Sequence, residues 1–286
     1  MRILVTGANG QLGNEMRELA KENPQHTYIF TDVQELDICD ELAVRACIAD
    51  NQVEVVVNCA AYTAVDKAED NQELCRKLNE EAPGILARAA QANGAAMIQI
   101  STDYVFDGTA YVPYTEECET CPNSVYGFTK LGGEKEVMQN CEKAMVIRTA
   151  WLYSIYGNNF VKTMLRLGRE RESLGVVFDQ IGTPTYAKDL ATAIYAAINH
   201  GIVPGIYHFS NEGVCSWYDF TVTIHRLAGI DTCKVSPLHT DEYPAKAPRP
   251  HYSVLDKAKI KRTFGIEIPH WTDSLDACIK KLKVEN

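Results

Sequence analysis

Apolar and polar positions follow two rhythms along the first half of the chain. Short β-branched and apolar runs at residues 2–6, 28–31, 53–58, 95–100 and 144–149 read as buried strands. Between them, apolar residues recur every three or four positions, which predicts helices at 11–22, 41–50, 72–93 and from about 122–124 to 141. Asn93-Gly94 supplies a stop for the third of these. Strands alternating with helices predict a parallel sheet.

Beyond residue 150 the rhythm loosens. Helices are expected at 159–168 and 187–199, and strands at 174–178 and 206–209. Ser216 is placed to cap a helix running to Leu227. The tract 243–250 carries Pro244, Pro248 and Pro250 and cannot be regular. Two short helices are expected to close the chain.

Ligands of open parallel sheets bind beyond the carboxyl ends of the strands. The residues ending strands are therefore the ones that matter. After the first strand comes Gly7-Ala8-Asn9-Gly10-Gln11-Leu12-Gly13, which opens the first helix. Gly7 allows a tight turn, Gly10 lets backbone approach a pyrophosphate, and Gly13 lets the helix lie close on the strand. The helix start offers free N–H groups and its positive dipole end to the anion. No Gly-Lys-Ser/Thr follows, which argues against a nucleoside-triphosphate loop. Asp32 ends the second strand about twenty residues on, where a carboxylate binds a ribose 2′-hydroxyl. The fold expected is thus α/β: a Rossmann-type doubly wound parallel sheet that binds a dinucleotide. No arginine follows Asp32, so the reading leans to NADH, with NADPH kept open. Residues 1–150 form the dinucleotide domain, with return segments from about 175–200; 151–286 are mainly a smaller C-terminal α/β lobe for the substrate.

Composition narrows the partners. The 286 residues suffice for one large or two smaller cores. A net charge of −10 argues against nucleic acid and anionic membranes. No apolar run reaches the roughly eighteen residues a membrane helix needs. Met1 leads straight into a strand, with no secretory leader, so a cytoplasmic location is expected. The ten cysteines are scattered and read as reduced. Cys118-Glu119-Thr120-Cys121 is one C-x-x-C without the second pair that zinc needs; it reads as a loop coincidence or a redox pair.

Tyr126 and Lys130 stand four residues apart on an expected helix and share a face. A phenol near pKa 10 becomes a better acid beside a cation. Such a pair protonates an alkoxide as hydride reaches a ketone. Thr102 ends the fourth strand, where its hydroxyl can meet the substrate carbonyl and the Tyr126 oxygen. Glycine turn, strand-end hydroxyl, then Tyr and Lys on the next helix form one conjunction.

In that order of elements the chain resembles the extended short-chain dehydrogenase/reductases, and within them the dTDP-4-dehydrorhamnose reductase family. The stretches that carry the likeness are 10–13, 58–69, Ser101-Thr102-Asp103-Tyr104-Val105-Phe106-Asp107-Gly108, Tyr126-Gly127 with Thr129-Lys130, 148–151, 157–160, Asp179-Gln180 with 182–185, and Arg249-Pro250 with Ser253 and Leu255. The resemblance implies reduction of the C4 ketone of a dTDP-linked 6-deoxy-4-keto-sugar by NADH or NADPH. It implies that Gly10, Gln11, Leu12, Asp32, Asp37, Ile38, Ala61, Tyr62 and Thr63 line the dinucleotide. Tyr126 would be the proton donor, Lys130 its partner, and Thr102 the group that tunes it. Thr102, Asp103 and Trp151 would touch the sugar nucleotide; Trp151 reads equally as a sugar cover or a core aromatic.

Some members of the family join two subunits through Mg²⁺ held by acidic residues. Glu15 matches one such acid, but Lys188 stands where a second would be, with Asp189 beside it. A lysine repels the cation, so no metal is expected, and monomer and homodimer stay open. Two rival readings remain: another nucleotide-sugar reductase or epimerase, and a non-catalytic dinucleotide-binding regulatory subunit.

Overall fold

The computed structural model describes residues 1–284. Six parallel strands form the central sheet in the order Gly205–His208, Ala144–Thr149, Ala96–Thr102, Val55–Asn58, Arg2–Thr6, Thr27–Thr31. Their near-continuous apolar runs reflect burial on both faces. Ile3, Val5, Val55 and Val57 face the helices Gln11–Glu22 and Ala187–His200. Leu4 and Val56 face Glu41–Asp50, Ala82–Ala92 and Val125–Asn140. The chain leaves Arg2–Thr6 for one neighbour and returns to the other, so a crevice opens beyond the carboxyl ends of these strands.

The expected return to the sheet starts later than residue 175. Ala187–His200 packs on the first helix, and Gly205–His208 closes the sheet edge. Ser173–Val177 belongs instead to the smaller lobe, paired in parallel with Lys234–Leu238. That second strand contains Pro237, which hid it in the sequence. The lobe has its own core of Tyr153, Val161, Phe220, Ile224, Leu275 and Ile279. The closing helices are Ala258–Phe264 and Trp271–Val284; the second is not short.

The helix expected at 72–93 is interrupted by a π-helical turn, Lys77–Glu81, between Gln72–Arg76 and Ala82–Ala92. Pro83 is the cause. It has no N–H to return to the Asn79 carbonyl, so the helix widens one turn earlier. No helix among the described residues is long and apolar enough to cross a membrane. All ten cysteines are free thiols, and Cys118 turns its sulfur back to the Thr115 N–H.

Candidate active site

Two glycines of the turn leave no room for a side chain. Gly7 has φ +64°, and a Cβ there would lie 2.6 Å from the Ala60 nitrogen. A Cβ on Gly13 would lie 2.4 Å from the Gly7 carbonyl oxygen. Strand, turn and helix therefore touch backbone to backbone. Gly10 caps the helix without a side chain, which leaves the first-turn N–H groups of Gln11, Leu12 and Gly13 free for an anion. Asn159 of the smaller lobe donates to the Gln11 side chain at 2.9 Å and fixes its direction. This cradle fits a dinucleotide pyrophosphate.

The Asp32 carboxylate closes the rim. It accepts from the N–H groups of Asn9 at 2.9 Å and Val33 at 2.8 Å. Asp37 is exposed and accepts from the Cys39 N–H, while the Ile38 side chain is buried in the core beneath the sheet. None of Asp32, Asp37, Ile38 and Tyr62 lines the cleft that runs from the glycine turn. Tyr62 is held through its backbone by Asn79.

A cleft of about 540 Å³ runs from the glycine turn to the smaller lobe. Gly10, Gln11, Leu12, Ala61 and Thr63 line one end; Thr102, Asp103, Tyr126, Lys130 and Trp151 line the other. Five elements separate in sequence converge there. Tyr126 is presented by the helix Val125–Asn140, whose first turn is capped by Ser124 accepting from Gly127 N–H at 3.1 Å. Gly127 lets that turn press on the Tyr104 carbonyl, 2.3 Å from where a Cβ would be. The Tyr104 and Tyr126 rings meet edge-on at 5.4 Å.

Burial holds the Tyr126 phenol above its ordinary range, and hydrogen bonding with Thr102 pulls it back down. The sequence pointed to the Lys130 ammonium for that role. In the structure Lys130 turns its amine to the Ile100 carbonyl at 2.6 Å, so Thr102 is the acidifying neighbour. Burial pushes the Lys130 amine down to about 8 despite the opposing charge of Glu134. Glu134, one turn further along, accepts from Ser101 Oγ and from Arg148 Nε and Nη2 at 2.9 and 2.7 Å. That buried pair ties the Tyr-Lys helix to two strands of the sheet.

Asp103 is almost wholly buried, and burial raises its carboxyl to about 6. One oxygen accepts from Thr102 Oγ1 at 2.9 Å; the other has no hydrogen bond of good geometry, although the Ser253 hydroxyl is close enough to draw the carboxyl's pKa down. A buried acceptor without a well-placed donor on the wall of a cleft suits a ligand hydroxyl. Trp151 sits in the left-handed region at φ +49° and stacks on Trp217, with centroids 3.5 Å apart and planes at 12°. A second hollow of about 230 Å³ adjoins the cleft, shares Tyr104 and Trp217, and contains Arg249.

Sequence reasoning did not assign roles to Asn79, Glu134, Asn159 or Trp217. Asn159 lies in a stretch that carries the family likeness, and Trp217 directly follows the Ser216 cap; their contacts are not visible locally. The acids weighed for Mg²⁺ have partners within the chain. Glu15 is buried and accepts from Ser154 Oγ at 2.6 Å, while Asp189 accepts from Asn211 and Ser274. Both carboxylates are thus engaged by hydrogen bonds within the chain.

Comparison with known proteins agrees with this geometry. Residues 1–284 match the family described as RmlD substrate binding domain. The dTDP-4-dehydrorhamnose reductase of Escherichia coli (strain K12) is 40% identical over 99% of this chain and 98% of its own. A solved dTDP-4-dehydrorhamnose reductase from Clostridium acetobutylicum superposes with TM-score 0.95 at 48% identity, covering 99% of this chain and all of that one. Another, from Bacillus anthracis in complex with NADP, gives TM-score 0.93 at 38% identity, covering 100% of this chain and 99% of that one. With a match over essentially its whole length, and a glycine turn, Thr, Tyr and Lys converging on one cleft, the chain belongs to the RmlD substrate binding domain family.

Proposed function

We propose that the chain is an NAD(P)H-dependent reductase that converts the C4 ketone of dTDP-4-dehydro-L-rhamnose to the alcohol of dTDP-L-rhamnose. The observation that carries it is the placing of Tyr126, Thr102 and the buried Asp103 carboxyl on the wall that also bears the glycine turn. A dinucleotide held at Gly10, Gln11 and Leu12 would supply the hydride. Tyr126 Oη gives its proton to the ketone oxygen, so the phenol must be protonated beforehand. Its raised pKa keeps it so at neutral pH, and the Thr102 hydroxyl, turning its one hydrogen from Asp103 to Tyr126 Oη, steadies the phenolate left behind. Solvent in the cleft then restores the proton. Lys130 presents a cation to the dinucleotide ribose, and Asp103 accepts from a sugar hydroxyl. Trp151 and Trp217 offer an aromatic wall to the sugar or base, and Arg249 in the adjoining hollow faces the nucleotide phosphates. The enzyme works in the cytoplasm as a monomer or homodimer.

The test is purified protein with the 4-keto sugar nucleotide and NAD(P)H. Net oxidation of the cofactor marks a reductase; an epimerase would recycle it. Tyr126→Phe should lose most turnover while still binding the dinucleotide. Unchanged turnover in that variant, or a protein with no reductase activity and a stoichiometric partner, would overturn the reading.

A further inference from the structure

Asp32 and its neighbours pose a charge problem. A ribose 2′-hydroxyl can donate to a carboxylate at this rim, but a 2′-phosphate brings negative charge to it. Glu35 adds to the problem, because its carboxylate accepts from the Asp32 N–H at 2.9 Å. The sequence offers no arginine directly after Asp32 to offset them.

The fold brings one from elsewhere. Arg17 lies four residues beyond Gly13 on the helix Gln11–Glu22. Its guanidinium carbon sits 4.9 Å from the centre of the Phe30 ring, two residues before Asp32 on the neighbouring strand. Its Nη2 reaches Asn9 Oδ1 at only 3.4 Å, and Asn9 is the residue whose N–H binds Asp32 Oδ2. Its Nε is buried with no hydrogen-bond partner. Among the described residues no carboxylate stands within ion-pair distance of it, whereas Lys21 on the same helix pairs with Glu18. Arg17 is thus a half-buried cation, stiffened by an aromatic face, with donor capacity unspent beside the adenosine-ribose rim. Buried donors without acceptors are costly, and a planar guanidinium meets phosphate oxygens in pairs.

From this we infer that Arg17 is the specificity residue that admits a 2′-phosphate, so that the site takes NADPH despite Asp32. The inference rests on the dinucleotide reading of the glycine turn. Arg17 offsets Asp32 and Glu35 when the phosphate is present and is dispensable when it is absent.

Titration of protein fluorescence with NADPH and with NADH, in the absence of sugar nucleotide, tests it. Arg17→Gln should weaken NADPH by about 10- to 100-fold and leave NADH within about twofold. Arg17→Lys, which keeps a charge but not the fork, should fall between. The pair 2′,5′-ADP and 5′-ADP should divide in the same way. Equal weakening of both dinucleotides would make Arg17 a brace for the turn and overturn the inference; so would unchanged NADPH affinity. If the unaltered protein bound neither dinucleotide, the cofactor reading beneath would fail first.

Discussion

Asn79 grips Tyr62 by its backbone from both sides: Oδ1 accepts from the Tyr62 N–H at 2.8 Å, and Nδ2 donates to the Tyr62 carbonyl at 3.0 Å. The same amide reaches Thr129 Oγ1 on the Tyr-Lys helix at 3.4 Å. One side chain therefore couples the loop expected along the dinucleotide to the helix that carries Tyr126 and Lys130. Asn79 lies within the π-helical turn Lys77–Glu81. Asn79→Ala should leave two backbone groups unpaired and cost about 1–3 kcal/mol of stability. The dinucleotide Kd should rise about tenfold. A melt together with a titration checks both; an unchanged Kd would show that the Tyr62 loop needs no anchor.

Lys130 gives the site a pH dependence. Its amine, down from 10.5 to about 8, holds fewer protons in the folded chain than in the unfolded chain between those values. The cost of burying its charge is therefore full below pH 8 and fades as pH rises through 10.5. Under the proposed role, dinucleotide binding runs the other way, since the cation is lost above about 8. Dinucleotide Kd should climb between pH 7 and 9.5, and Lys130→Met should bind weakly with a flat profile. Isothermal titration across that range decides it, and a flat profile in the unaltered protein would count against the role.

Burial of Asp103 carries a cost in stability. Its carboxyl is raised from 3.8 to about 6, so the folded chain holds more protons than the unfolded chain in that window. Stability from this group falls as pH rises from 3.8 to 6, and the penalty is complete above 6. Asp103→Asn should raise stability by about 1–3 kcal/mol at pH 8 and by less at pH 4.5. It should also lower kcat/KM about tenfold or more through the lost acceptor. Melting curves at the two pH values, with steady-state kinetics, read both effects.

Trp151 and Trp217 stack on the wall of the cleft, and Trp217 also lines the adjoining hollow. Trp217→Leu should raise KM for the sugar nucleotide by about three- to thirtyfold and leave dinucleotide Kd unchanged. The tryptophan emission that responds to sugar-nucleotide binding should shrink with it. Equal losses for sugar nucleotide and dinucleotide would point to collapse of the lobe instead.

Glu134 and Arg148 form a buried pair beneath the Tyr-Lys helix, at 3% exposure or less for both side chains. Glu134→Ala would strand the guanidinium in the core and should cost about 3–5 kcal/mol. Chemical denaturation measures it, and a loss below about 1 kcal/mol would mean that water reaches Arg148.

Local chemistry by itself determined the parallel sheet, the glycine turn and the helix starts. Ser124, Asn159 and Ser216 cap their helices through side chains in the sequence, and the apolar runs of the strands state their two-sided burial outright. Tyr126 and Lys130 share a helix face by spacing alone. The tertiary structure decided what surrounds them. It turned Lys130 to a carbonyl and left Thr102 to tune the phenol. It buried Asp103, joined Trp217 to Trp151, paired residues 173–177 with 234–238, and brought Arg17 to the rim of Asp32. Periodicity and capping act within a few residues, so they can be read in order along the chain. Charge state, stacking and hydrogen-bond partners depend on which distant segments exclude water from a group, and only the folded chain sets that.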